Sequence, residues 1–323
     1  MTDIHEQLTK YLADAHSIEE QALAQLRTAP DIAGDPELAE AFRAHEAETE
    51  GHETLVRHLL EARHESPSSI KDTVMKLGGK AFVLFARVQP DTPGKLLAHA
   101  LSYEALEVSS YELLARVAEQ AGEEHVVEAP DRILADERRM MERLEGCFDA
   151  AVDASLKAVG RDDLEEQLRK YLADAHAIEE QAEQFLERAS SMTEGTPLAK
   201  LFEEHLEETR KHAELVEQRL EALGGDPSTL KDALMRMGAL NWAEFFHGHP
   251  DTPGKLTAFA YAFEHLEIGG YEQLKRVAER VGDTETVKTA ETILGEERAA
   301  ARKLAAAFDE AAEIALREQG VQA

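Results

Sequence analysis

The chain repeats itself at a constant offset of 160 residues, and that repeat narrows the folds open to it. Tyr11-Leu12-Ala13-Asp14-Ala15-His16 returns as Tyr171-Leu172-Ala173-Asp174-Ala175-His176. Pro90-Asp91-Thr92-Pro93-Gly94-Lys95 returns as Pro250-Asp251-Thr252-Pro253-Gly254-Lys255, and Ile133-Leu134 as Ile293-Leu294. An unchanged shift across blocks this far apart implies no net insertion, so the two copies share one fold. The period is too long for a solenoid unit and describes a duplicated domain. The expected domains are residues 1–160 and 161–323, each long enough to bury its own core.

Within copy one every segment reads as helix. Helix one is expected from Thr2 to Arg27, followed by a loop from Thr28 to Gly34. Asp35-Pro36 supplies an N-cap with proline at the first helical position, opening a second helix that runs to Arg63. The apolar stretch holding Val74, Met75, Leu77, Phe82, Val83 and Phe85 reads as a short helix before a turn at Gln89-Pro90-Asp91. Thr92-Pro93 opens helix three, which ends near Ala121-Gly122. Helix four then runs toward Val159-Gly160, with a candidate kink at Pro130 that copy two lacks, since Ala290 stands there. Four long helices in two short-looped pairs, joined by a long crossover containing a short helix, describe an all-α four-helix bundle in each copy.

Read at three- and four-residue steps, helix two gives Leu38, Ala41, His45, Glu48, His52, Leu55 and Leu59. A stripe that is apolar at both ends faces a core, so this one carries two imidazoles and a carboxylate inward. Copy two repeats it as Leu198, Leu201, His205, Glu208, His212, Leu215 and Arg219. The same reading puts Glu19 in the seam of helix one, Glu104, Glu107 and Tyr111 in that of helix three, and Glu137 in that of helix four. Their counterparts are Glu179, Glu264, Glu267, Tyr271 and Glu297.

These groups come to one height. Helices one and two are antiparallel, so residues at one level have indices summing to about 64, and Glu19 is level with His45 to Glu48. Helices three and four turn near residue 122, which sets Glu107 beside Glu137. At a rise of ~1.5 Å per residue, these carboxylates and His45 lie within one to two turns of a common level, with His52 a turn further on. Five carboxylates in a dry core repel one another, and cations are the natural remedy. Oxygen ligands with one or two imidazoles suit iron or manganese better than zinc or copper. Tyr111 and Tyr271 read as core tyrosines with satisfied hydroxyls, and Cys147 as a buried small hydrophobe.

Charge and cysteine content bound the setting. Lys+Arg is 35 against Asp+Glu 65, a net charge of −30, which argues against nucleic acid and anionic membranes as partners. A single cysteine allows no disulfide within the chain, and no apolar run approaches the ~20 residues of a membrane span. A cytoplasmic protein is expected.

Carboxylates from four helices together with helix-two histidines resemble the dinuclear sites of the ferritin-like superfamily. Glu104-Ala105-Leu106-Glu107 is similar to the Glu-x-x-Glu of rubrerythrins. The block from His45 to His52, the Glu19-Glu20-Gln21 run and Tyr103-Glu104-Ala105-Leu106-Glu107 together resemble the YciE/YciF ferritin-like family most closely, along nearly all of each copy. That resemblance implies two tandem ferritin-like bundles, each with a di-iron or di-manganese site, and a ferroxidase or stress-response role with dioxygen or peroxide as oxidant.

Two departures bear on the site. His-x-x-Glu-x-x-x-His replaces the usual Glu-x-x-His of helix two, so either His45 or His52 can be the ligand, and the levels favour His45. Helix four carries Met140 and Met141 after Glu137, and Ala300 and Ala301 in copy two, which leaves a second metal without an imidazole from that helix. Peroxide removal, as in manganese catalases or rubrerythrins, is a second reading, without a Cys-x-x-Cys electron relay. A metal-poor helical stress or interaction protein with a decayed site is a third. The fused pair resembles a built-in dimer, and a homo-oligomer is compatible with the sequence.

Overall fold

A computed structural model describes residues 3–63, 92–157, 159–160, 163–225 and 252–321. The expected crossover helix and the Gln89-Pro90-Asp91 turn lie outside the described residues. Among the described residues the chain is helical, with no strand, and no helix is long and apolar enough to cross a membrane. It divides into two compact units, Met1–Ser155 with Phe308–Ala323, and Leu156–Ala307.

In the first unit α1 (Ile4–Leu26), α3 (Pro36–Ala62), α4 (Thr92–Gln120) and α5 (Glu124–Gly146) form a closed ring of contacts: α1 packs on α3 and α4, and α5 packs on both as well. The short α2 (Ala29–Ile32) occupies part of the expected loop. These four long helices are helices one to four of the sequence reading. Asp35 caps α3 as its position predicts, its carboxylate accepting the Glu37 and Leu38 amides at 2.8 and 3.1 Å. Such a cap is worth about 1 kcal/mol. Between α4 and α5, Gly122 takes φ +70°, and the Glu123 amide reaches back to the Ala118 carbonyl at 3.1 Å. This wrapped helix end turns the chain sharply and brings Glu137 back to the level of Glu107.

The second unit repeats the ring with α7 (Leu164–Met192), α8 (Pro197–Ala222), α9 (Thr252–Val281) and α10 (Thr284–Ala306). Gly282 (φ +84°) serves the α9–α10 turn, and Asp283 caps α10 through the Glu285 and Thr286 amides.

Helix four is shorter than its sequence suggests. It stays continuous through Pro130 but ends at Gly146, and α6 (Phe148–Leu156) follows as a separate element. The break recurs at Ala307, where no glycine precedes it, so Gly146 is not its cause. In both copies a phenylalanine, Phe148 or Phe308, opens the next helix fully buried. The last helix, α11 (Phe308–Glu318), belongs to the first unit and lies on α4, with the Arg116 guanidinium 5.9 Å over the Phe308 ring and bonded to Asp309.

The seams of helices one, three and four fall where periodicity puts them: Glu19, Glu104, Glu107, Tyr111 and Glu137 are all buried. Helix two is rotated by one position. Its buried stripe is Leu38, Phe42, His45, Thr49, His52, Val56 and Leu60, rather than one through Ala41, Glu48, Leu55 and Leu59. Copy two agrees, with Phe202, Thr209, Val216 and Leu220 buried and Leu215 exposed. Phe42 and Phe202 bury more apolar surface than Ala41 or Leu201 could, and that sets the rotation.

Candidate metal centre

Two groups of donor atoms converge in the first unit. His45 from α3, Glu104 and Glu107 from α4 and Glu137 from α5 form one, and Glu19 from α1, His52 from α3 and Glu137 form the other. Within each group the ligand atoms lie within 4.8 Å of one another. Glu137 belongs to both. Each residue sits on a buried helical seam, and the spacing of seven from His45 to His52 repeats the same face two turns on.

Acids outside the groups orient both imidazoles. Glu48 Oε2 takes the Nδ1 proton of His45 at 3.1 Å, which turns Nε2 inward, 3.0 Å from Glu104 Oε2 and 3.2 Å from Glu137 Oε2. Asp136 Oδ2 takes the Nε2 proton of His52 at 3.1 Å, which turns Nδ1 to within 2.8 Å of Glu137 Oε1 and 3.8 Å of Glu19 Oε1. The hydroxyl of Tyr111 donates to Glu19 Oε1. Opposite ring nitrogens thus face Glu137 from its two sides.

The inward atoms are close but not hydrogen-bonded. His45 Nε2, His52 Nδ1, Glu19 Oε2, Glu104 Oε2 and both oxygens of Glu107 and Glu137 are buried without a hydrogen bond of acceptable direction. Short distances alone would describe ion pairs. The directions describe polar atoms turned toward common points without bonding one another, and leaving so many buried groups unsatisfied is costly.

Protonation tells the same story. Burial, reinforced by the charge of Glu137, pushes the carboxyls of Glu19 and Glu104 up to about 8 and that of Glu107 well above the usual range. Burial would also raise Glu137, but the close approach of the His45 and His52 imidazoles, at 3.2 and 2.8 Å, holds it well below the carboxylate range. For the imidazoles burial acts downward and is outweighed. The charge of Glu104 lifts His45 to about 12, and the Glu137 carboxylate close against it lifts His52 to about 9. Protons therefore do the neutralising that cations could do. The donor set of carboxylates and imidazoles fits iron or manganese.

The second unit builds the same pair of groups, His205, Glu264, Glu267 and Glu297, and Glu179, His212 and Glu297. Glu208 holds His205 Nδ1 at 3.3 Å, Glu296 holds His212 Nε2 at 2.6 Å, and Tyr271 donates to Glu179. His205 Nε2 lies 2.9 Å from Glu264 and 3.7 Å from Glu297, and His212 Nδ1 lies 2.8 Å from Glu297.

Of the residues expected at the site, Glu19, His45, His52, Glu104, Glu107 and Glu137 come together, as do Glu179, His205, His212, Glu264, Glu267 and Glu297. Glu48 and Glu208 do not. Three residues past the histidine, they fall at the edge of the stripe, and the Glu48 side chain is 26% exposed behind His45, facing Arg139 and Arg143. The choice between His45 and His52 also dissolves, because each serves a different group. Asp136 and Glu296 were missing from the sequence reading. Their one signal is that each copy places an acid directly before the seam glutamate of helix four. His16, one turn from Glu19, lies in neither group and instead meets Glu53 at 3.0 Å.

Residues 3–157 and 163–317 each match a family described as a domain of unknown function (DUF892). Over 141 residues, 41% of this chain and 82% of the relative, the sequence is 29% identical to Protein YciF of Escherichia coli (strain K12). No solved structure matches.

Proposed function

The chain belongs to the DUF892 family twice over, and on that premise we propose that each unit holds a pair of iron or manganese ions sharing Glu137 or Glu297, and that the protein oxidises Fe(II) with dioxygen or peroxide. The observation that carries this reading is the set of buried donor atoms in each unit that converge without hydrogen bonds. Ions bound there would supply one-electron steps between the II and III states.

The chain's own residues do the rest. His45, Glu104, Glu107 and Glu137 would hold one ion, and Glu19, His52 and Glu137 the other. The carboxylates concentrate negative charge in a dry site, which favours the higher oxidation state. Glu48 and Asp136 fix the tautomers of His45 and His52, and Tyr111 fixes the orientation of Glu19. Protons held on Glu19, Glu104 and His52 leave as cations enter, so loading releases acid.

Glu48→Gln and Asp136→Asn keep shape but weaken the acceptor for each imidazole proton. Each is expected to lower metal affinity in the first unit about 10–100-fold with helicity unchanged, read by chelator competition and circular dichroism. Affinity equal to the wild type would remove the orienting role.

The function itself is tested by purifying the protein without added metal, measuring bound metal by mass spectrometry and following Fe(II) oxidation under air. Bound iron or manganese with Fe(II) turnover supports the reading. Rapid peroxide breakdown without Fe(II) turnover points to the manganese-catalase-like alternative. Absence of both metal and turnover contradicts it in favour of a metal-poor helical protein.

A further inference from the structure

A cavity of ≈ 20 Å³ lies between α1, α3 and α4 of the first unit, walled by Ala22, Leu26, Phe42, Leu96 and Ala100, with Gln25, Tyr103 and Glu104 completing it beside Ala29. Gln25 and Tyr103 are half-buried whereas Glu104 is buried, so the cavity touches both partly exposed side chains and a carboxylate of the site. Its volume is about that of one water, yet a buried water needs two to four polar partners. The walls are mostly carbon, and the Tyr103 hydroxyl already donates to the Ile18 carbonyl at 3.0 Å. A small molecule that asks for no hydrogen bonds suits this space better.

The second unit keeps seven of the nine lining residues at the 160-residue offset and changes two. Phe185 stands where Gln25 does, and Phe263 where Tyr103 does. Their rings stack, with centroids 6.3 Å apart and planes 10° from parallel, and both are buried, at 1% and 7% exposure. The duplicated positions that are half-open in one unit are packed shut in the other.

We infer that the first unit has its own entry for a small apolar oxidant of the dioxygen class, ending at Glu104, and that the Phe185–Phe263 stack closes the corresponding path in the second. The two centres, alike in ligands, then differ in access to oxidant. The purpose of this entry rests on the proposed metal site, but its existence does not.

The test uses metal-free, methyl-labelled full-length protein under dioxygen pressure, with nitrogen as the reference, and reads paramagnetic relaxation of methyl groups. A pocket that seats a molecule raises its local concentration, so the Ala22, Leu26, Leu96 and Ala100 methyls are expected to relax at least about threefold more than those of Ala182, Leu186, Leu256 and Ala260. Gln25→Phe with Tyr103→Phe should erase the contrast, and Phe185→Gln with Phe263→Tyr should create it in the second unit. Equal enhancement in the two units of the wild-type protein overturns the proposal without any variant. Because no metal is present, a contrast in a protein that binds no iron leaves the entry standing and removes the oxidase reading. Equal enhancement in a protein that does bind iron has the opposite meaning.

Discussion

Glu137→Ala combined with Glu297→Ala is expected to abolish metal binding and Fe(II) oxidation together. Each glutamate belongs to both groups of its unit, so one substitution weakens two positions at once. The loss should exceed the ~10–100-fold expected for Glu48→Gln, because a carboxylate that touches the ion is removed rather than one that orients a ligand. Glu137→Ala alone should leave the second unit loaded and halve the metal per chain. Glu19→Ala should affect only the group of Glu19, His52 and Glu137. Metal content by mass spectrometry checks all three, with circular dichroism to establish that the bundles persist. If the double variant retained wild-type metal, the ions would lie elsewhere.

The second large effect concerns metal-free protein, which should lose stability as pH rises through the neutral range. The sign follows from the shifts at Glu19, Glu104, His45 and His52. A carboxyl raised from 4.5 to about 8 prefers its proton in the fold. Its contribution is complete below pH 4.5 and is lost as pH climbs through 8. An imidazole raised from 6.5 to about 9, as at His52 and His212, contributes fully below 6.5 and loses that contribution toward 9. His45, at about 12, adds to the decline above 6.5. Glu137 is depressed, so its contribution is present above 4.5 and stays constant across this window.

Burial lowers the imidazoles of His99, to about 4, and of His265, and their contributions rise with pH only up to 6.5. Above 6.5 the changing contributions of the site groups fall together, and Tm with chelator present should drop by about 5 °C or more between pH 6.5 and 9. Metal-loaded protein should resist the drop, since bound cations replace the protons and bind better as pH rises. Thermal scans with and without chelator measure both. A chelated protein most stable near pH 9 would contradict the assignment of protonated carboxyls to the cavity.

Much of this could be read before any coordinates. The duplication, the four helices and the seams of three of them follow from spacing, because apolar residues on both sides of Glu19, Glu104, Glu107 and Glu137 leave one choice of face. Helix two offered two neighbouring stripes. Glu48 made one of them chemically attractive, while the true one contains Thr49, whose hydroxyl is satisfied by the His45 carbonyl at 2.9 Å and so tolerates burial. That local bond carries no periodic signal. Asp136 was hidden for a different reason: it lies off the seam and acts only because α3 brings His52 against α5. The break at Cys147 and the placement of α11 with the first unit are likewise tertiary, since an offset repeat says which residues correspond, not which helices meet.

The claim at the centre of this account is that each unit holds two ions with one glutamate between them. Anomalous scattering at the iron edge, from crystals of protein loaded with Fe(II) without oxygen, tests it most directly. The account predicts two peaks in each unit, one among His45, Glu104, Glu107 and Glu137 and the other among Glu19, His52 and Glu137, with the same pair around Glu297. A single peak per unit, or none at these side chains, would contradict it.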